Sequence, residues 1–271
     1  IFDYTTTIMI RLLFNYLTVF ILVSGLKIDH QINENLRNHS NQAFTFGEHI
    51  KYRVHYGWIN AASIDIKVGD KPKKVNGRTT YNIKAYGKTN RSFDWAYKVR
   101  DHFETYMDSA SLAPLKYYKN VREDNYRDED LVYYNHIKKK LTGKKKNMAM
   151  PAYLQDIVSG IFYARTIDFT NTKPGKSFPI NIYLDQKIYK LKFKYLGIET
   201  IKTDLGKVKC FKLRPQLVVD RVFKEEDDMT IWISADENKV PIRVKADIYI
   251  GSVKVDITDM SGLKNPFSSK L

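Results

Sequence analysis

The chain has 271 residues, with 45 Lys and Arg against 30 Asp and Glu for a net charge of +15, 13% aromatic residues and a single cysteine. That length supports one large β domain or two small ones with a real hydrophobic core. An apolar content of 43% with only 13 Gly and 8 Pro excludes a mainly disordered or collagen-like chain. One cysteine excludes an internal disulfide framework and a cysteine-rich metal site.

Residues 1–8 carry no pattern, and Met9 reads as the true start. From there the order is a short basic stretch, Met9-Ile10-Arg11, an apolar run from Leu12 to Val23, and Ser24-Gly25. This is the layout of a secretory signal covering residues 1–25, with the cut expected near Gly25 and Leu26. A membrane span needs about 20 apolar residues; this run is shorter and Asn15 interrupts it. An uncleaved anchor is the alternative. No cysteine stands at the expected cut after the apolar run, so the amino terminus is not expected to be lipidated. The expected localisation is periplasmic or envelope-associated. Residues 26–45 are polar, without an apolar period, and read as a flexible leader.

From Phe46 the period becomes two, and residues 46–263 read as one β-rich domain followed by a tail, 264–271. Ile50, Tyr52, Val54, Tyr56 and Trp58 share one face against Lys51, Arg53 and His55, and Ala62, Ile64, Ile66 and Val68 repeat the pattern. A polar turn over Gly69–Arg78, containing Asn76-Gly77, leads to a strand around Tyr81, Ile83 and Ala85. Further alternating runs are expected near 97–107, 114–122 and 131–141. After Pro151, Leu154, Ile157, Val158, Ile161 and Phe162 fall at helical spacing, which predicts one main helix over about 152–166. Alternation resumes from Phe178 and continues to Ile257, with turns at Asp204–Gly206 and Asp236–Asn238. The fold class expected is mainly β: a strongly curved antiparallel sheet, or an open half barrel, with the helix against its apolar face.

No standard catalytic or phosphate-binding motif is present. The six histidines show no metal-ligand spacing, so neither a metal nor a cofactor site is expected. His102 shares a strand face with Glu104, a pairing able to shuttle a proton, and Asp101 adjoins it. No nucleophile accompanies these three, and a solvated strand face with mixed charges explains them as well. Cys210 in KVKCFKL reads as a buried small hydrophobe rather than a nucleophile. The run Ile137–Lys146 holds Lys138, Lys139, Lys140, Lys144, Lys145 and Lys146 around Thr142-Gly143. The turn dipeptide predicts a hairpin tip, either an anionic-surface contact or a solubilising loop. Nucleic acid is not an expected partner, because export argues against it and the acidic stretch Glu225–Asp228 interrupts any basic stripe. The aromatics Tyr52, Tyr56, Trp58 and Tyr81 lie on strands where one helix gives little cover. Core packing or an apolar ligand groove for a lipid or acyl chain both follow from that placement.

Two stretches carry a family resemblance: Phe46-Gly47-Glu48 with the strands that follow it, and GKVKCFKLRP (206–215) followed by MTIWISADENKVPIRVKADIYIGSVKVDI (229–257). In order and content they resemble the bacterial family called domain of unknown function 3108. Gly206, Cys210 and Pro215 match its middle element, and Trp232, Ser234, Asp236 and Pro241 its last. The resemblance implies an exported envelope protein without an assigned reaction. It also implies a β-rich plan similar to the half-barrel carriers and receptors for lipoprotein acyl chains. No catalytic residue is carried over. Three functions remain open: a non-enzymatic binder of an apolar ligand, an envelope interaction module using the lysine run, and a hydrolase of envelope glycan or lipid using His102, Glu104 or Asp101.

Overall fold

The alternation that begins at Phe46 resolves, among the described residues, into sixteen strands that pair almost entirely with their chain neighbours. A computed structural model describes residues 36–217, 229–247 and 251–271; the signal-like segment and the acidic stretch 225–228 lie outside the described residues. The strands are β1 His49–Tyr56, β2 Ile59–Val68, β3 Lys73–Val75, β4 Arg78–Thr89, β5 Arg100–Asp108, β6 Pro114–Glu123, β7 Tyr126–Asn135 and β8 Lys140–Gly143. They continue with β9 Asn147–Ala149, β10 Gln155–Asp156, β11 Ser177–Leu184, β12 Lys187–Thr203, β13 Gly206–Leu217, β14 Met229–Ser234, β15 Pro241–Asp247 and β16 Ser252–Ser261. One α-helix, α1 (Ile157–Ala164), follows β10.

All belong to one curved sheet in the order β10-β11-β12-β13-β14-β15-β16-β1-β2-β4-β5-β6-β7-β8-β9, with β3 paired to β4. Only β10 and β11 run parallel. Pairing β16 with β1 joins the two halves of the chain, while β9 and β10 remain as unpaired edges. The sheet is therefore mainly β, strongly curved and not closed, as the alternation implies. Asn76 and Gly77 both have positive φ, 50° and 76°, the tight turn geometry that matches strand twist in a hairpin. That hairpin makes β3 a strand within what reads as a polar turn.

Two expectations are corrected. The helix spans eight residues rather than fifteen, because Asp156, not Pro151, starts it. Its carboxylate accepts from the backbone N–H groups of Val158 and Ser159, and the Ser159 hydroxyl accepts from the Asp156 N–H in return, a reciprocal cap. The strand expected over 131–141 ends at Asn135. The leader and tail are packed where described: Phe44 is fully buried against Phe162 and Tyr81, the Ser269 hydroxyl donates to Asp236, and Leu271 N–H donates to Lys207.

The concave side is filled from several directions. Val158 and Phe162 of α1 pack with Ala43, Phe44, Val68, Ile83, Met107 and Leu112. Gly160 lets the helix sit on β11, since a Cβ there would lie 2.5 Å from the Ile182 side chain. At the end of α1, the fully buried Arg165 grips buried Glu48 bidentately at 2.5 and 2.8 Å. Its remaining donors reach the carbonyls of Asn238 and Ala43, both at 3.0 Å.

Removing one member of a buried ion pair leaves an unpaired charge and is strongly destabilising, by about 3–5 kcal/mol, whereas an apolar replacement of both members is far milder. Arg165→Met alone is therefore expected to lower the denaturant midpoint sharply. The double change Glu48→Leu with Arg165→Met should recover most of the loss, as read by equilibrium urea unfolding.

Candidate functional site

Strand register brings the sequence-derived acid–base residues onto the outer face of β4–β6. Tyr86 pairs with His102 and His102 with Asn120; Lys84 pairs with Glu104 and Glu104 with Tyr118. The His102 ring stacks on Tyr86, centroids 4.4 Å apart and 11° between planes, and meets Tyr118 edge-on at 5.6 Å. Burial pushes the His102 imidazole below its ordinary value, and the nearby Lys84 ammonium adds to this against the Glu104 charge. For Glu104, burial pushes the carboxyl up. Hydrogen bonds from Asn82 (2.6 Å) and Tyr106, with the charge of Lys84, outweigh it and hold the group below its usual range.

These groups do not form an acid–base pair in contact. His102 Nε2 stands 3.8 Å from Glu104 and is buried without a hydrogen-bond partner. Asp101, one residue earlier, projects to the other side of β5, accepts from the backbone N–H of Arg122 at 3.0 Å, and has its carboxyl raised by burial. Asp101 and His102 do border one shallow depression of about 340 Å³, with Tyr86, Lys88, Asn120 and Arg122 around it. An aromatic face beside guanidinium and amide groups suits stacking and hydrogen bonding to a polar ligand. It lacks a positioned nucleophile. Among the described residues no group of three or more His, Cys, Asp or Glu is placed to hold a metal.

The four aromatics proposed for a ligand groove separate. Tyr52 is buried among Ile50, Trp232 and Ile257, with its hydroxyl donating to the Pro241 carbonyl at 3.0 Å. Tyr81 packs with Phe44 and Phe46. Tyr56 and Trp58 are exposed at the β1–β2 turn, Trp58 by 91%.

The lysine run is also divided, which corrects the single hairpin tip. Thr142-Gly143 ends β8 and does not itself form the turn: the Gly143 N–H donates to the Lys146 carbonyl at 3.0 Å across the β8–β9 turn. The chain reverses before and after that short strand, so Lys138 to Lys140 sit at one end and Lys144 to Lys146 at the other. Lys145 turns back to pair with the buried carboxylate of Asp128, and Lys144 lies 3.4 Å from Glu129. Cys210 is fully buried, and burial pushes its thiol up to about 12.

A polar cluster absent from the sequence reading occupies the inner face between β6–β7 and β10–β11. Buried Lys119 bridges Asp128 at 2.5 Å and Asp185 at 2.6 Å. The Tyr183 hydroxyl donates to Asp130 at 3.1 Å, and that of Thr105 to Asp156 at 2.7 Å. The signal was present in the alternation: Lys119 shares a face with Leu115, Tyr117 and Val121, and Asp128 and Asp130 with Val132 and Tyr134. With the apolar cluster of Tyr117, Tyr134, Leu141, Met150, Leu154 and Tyr183, it links the two end regions of the sheet, whose edges β9 and β10 do not pair.

These features define a barrel-like protein whose single open sheet curls around one short helix. The family model described as protein of unknown function (DUF3108) matches residues 51–258, more than half of the chain, and the protein belongs to that family. Its motif residues are structural here: Ser234 donates to Asp236 and accepts from Val240 N–H, and Asp236 accepts from the N–H groups of Asn238 and Lys239. Among solved structures, the chain shares its fold with a beta-barrel-like protein of domain of unknown function DUF1849 from Brucella abortus. The TM-score is 0.52 at 8% identity, over 80% of this chain and 97% of that one. Matches with lower TM-scores are a candidate lipoprotein from Parabacteroides distasonis (0.38, 9% identity, 84% of this chain and 100% of that one) and a candidate exported protein with a YmcC-like fold from Bacteroides fragilis (0.34, 9% identity, 81% and 97%). No curated protein matches the chain.

Asp156 gives a pH prediction. Its buried carboxyl is raised to about 6, burial outweighing the hydrogen bonds that favour the anion. A folded-state value above the unfolded one near 3.9 means that the native state holds the proton more tightly. The contribution is present at acid pH and lost as pH rises through about 6. Asp156→Asn keeps a capping side chain and removes the titration. Thermal unfolding from pH 4 to 7 should therefore show the wild type losing on the order of 2 kcal/mol relative to the variant. A constant difference across that range would refute the assignment.

Proposed function

We propose that the protein is an exported, non-enzymatic module of the periplasm or cell envelope that works through its outer surface, meeting an anionic envelope surface. Export rests on the signal-like order of residues 9–25. The observation that carries the surface reading is the filled concave side. Phe44, Met107, Val158 and Phe162 occupy it, and the depression formed by described residues opens on the outer face instead. A net charge of +15 supplies the attraction. Glu104 and Asp101 are hydrogen-bonded to Asn82 and to the Arg122 N–H, and His102 is stacked on Tyr86 without a hydrogen bond to either, which disfavours the hydrolase reading. No described helix is long and apolar enough to cross a membrane.

A second reading, an apolar ligand such as a lipid or acyl chain, is supported by the open seam between the unpaired edges β9 and β10. Tyr117, Tyr134 and Tyr183 lie beneath that seam. Native mass spectrometry of the gently purified protein separates the two: a co-purifying acyl species supports the second reading.

For the surface reading, the full chain should sediment with envelope fractions in a salt-sensitive way. Replacing Lys138, Lys140, Lys144 and Lys146 with Ser should weaken sedimentation, while Lys145 stays in place for its pairing with Asp128. Binding indifferent to both salt and these changes would exclude it.

A further inference from the structure

We infer that the end of the sheet carrying the β1–β2, β4–β5 and β6–β7 connections is a docking rim for the headgroup region of an anionic lipid bilayer. The inference rests on the surface reading above and names its partner.

Seven aromatic side chains are strongly exposed among the described residues, and five of them gather at this end: Tyr56, Trp58, Trp95, Tyr97 and Tyr126. Trp58 and Trp95 are exposed by 91% and 86%, unusual for the two largest apolar side chains of a water-soluble surface. They are not scattered along the sequence by chance. Hydrogen bonds stitch their loops into one edge. Asn90 donates from its backbone N–H to the Ala61 carbonyl at 2.9 Å and from its side chain to the Asn60 carbonyl at 2.8 Å. That places the Trp95 segment beside the Trp58 turn.

At the other end of the same segment, Lys98 and Asp124 exchange bonds at 2.7 and 2.8 Å, and the Tyr97 hydroxyl donates to Glu123 at 3.0 Å. That fixes it to the β6–β7 turn and Tyr126. The β1–β2 tip is held from below: His55 lies 2.9 Å from the Gly57 carbonyl and 2.8 Å from buried Asp256 on β16. The indoles are thus presented on tied loops, so burying them in a partner orders little additional chain.

Charge selects the partner. Lys88, Arg91, Lys98 and Arg127 are exposed around the same edge. Of the neighbouring acids, Asp94 is paired with Arg100 at 2.6 Å, while Glu123 and Asp124 accept from the Tyr97 hydroxyl and the Lys98 backbone N–H and keep their charge, so four exposed cations face two unpaired carboxylates. Indole and phenol rings favour the interface between headgroups and acyl chains, where an apolar body and a polar tip are both satisfied. Lys and Arg beside them gain from anionic lipid. A protein partner would bring a shaped surface to meet a concave or flat patch, whereas separate loop tips that project along one edge suit a deformable interface.

The chain has three tryptophans, and Trp232 is buried with its N–H donating to Glu199, so fluorescence reads the rim directly. The full chain is mixed with phosphatidylcholine vesicles with and without phosphatidylglycerol. Emission is expected to shift to the blue only with the anionic lipid, and brominated acyl chains should quench it. Trp58→Ser with Trp95→Ser should lower vesicle affinity on the order of tenfold or more without altering the thermal midpoint, both side chains being exposed.

Vesicle binding unaffected by the double substitution overturns the inference. So does an absence of binding to phosphatidylglycerol vesicles by a protein that still sediments with envelope fractions; the surface reading then survives and a non-lipid partner takes the place of the bilayer. Loss of binding to both surfaces overturns the surface reading itself.

Discussion

The buried pair of Arg165 and Glu48 is the constraint on which the rest of the structure depends. An open sheet has no closing ladder to hold its curvature, and a short helix has little intrinsic stability. Arg165 supplies the missing connection by joining the end of α1 to the residue before β1, to the Ala43 carbonyl in the packed leader, and to Asn238 in the β14–β15 turn. Guanidinium geometry suits this task, because a planar fork satisfies a carboxylate with two donors and leaves others for carbonyls. Packing follows from it: Phe44 and Phe162 flank the guanidinium at 5.5 and 5.0 Å from their ring centroids.

A second polar device acts where backbone pairing ends. The sheet edges β9 and β10 do not pair, and the regions beside them meet through Lys119, its two aspartates and the tyrosines of the same cluster. Buried charges are expensive unless paired, and here each carboxylate has a cation or a hydroxyl. These groups occupy the inner face with pairings of their own, and the proposed surface contact falls on the outer face and the loop end. On the outer face, ring stacking isolates His102 from Glu104. At the loop end, the Trp58 and Trp95 indoles remain in water.

Much of the strand plan was legible, because one-sided burial imprints alternation on each strand from β1 to β16. The resemblance in Gly206–Pro215 and in the segment beginning at Met229 also pointed to the right family. The helix boundaries were less legible: the apolar period runs back to Leu154, but hydrogen bonding by Asp156 and Ser159 decides where the first turn starts. Thr142-Gly143 misled for a related reason. Its turn propensity is local and weak, while pairing of Val132 with Gly143 and of Tyr134 with Leu141 places both residues in a strand. The site suffered similarly, since Tyr52, Tyr56, Trp58 and Tyr81 share a sequence pattern but not an environment.

The excess of positive charge, the single cysteine and the two-residue period belong to the sequence alone: they set a basic chain, the absence of an internal disulfide and a curved sheet, because charge and strand faces are local properties. Which aromatics are core and which are rim, and which lysines are free to meet a partner, was decided only in the tertiary structure. Burial depends on what folds over a residue, and here that includes Phe44 from the leader on Tyr81 of β4, α1 from mid-chain on β4 and β5, and the tail on β13, contacts between residues far apart in sequence.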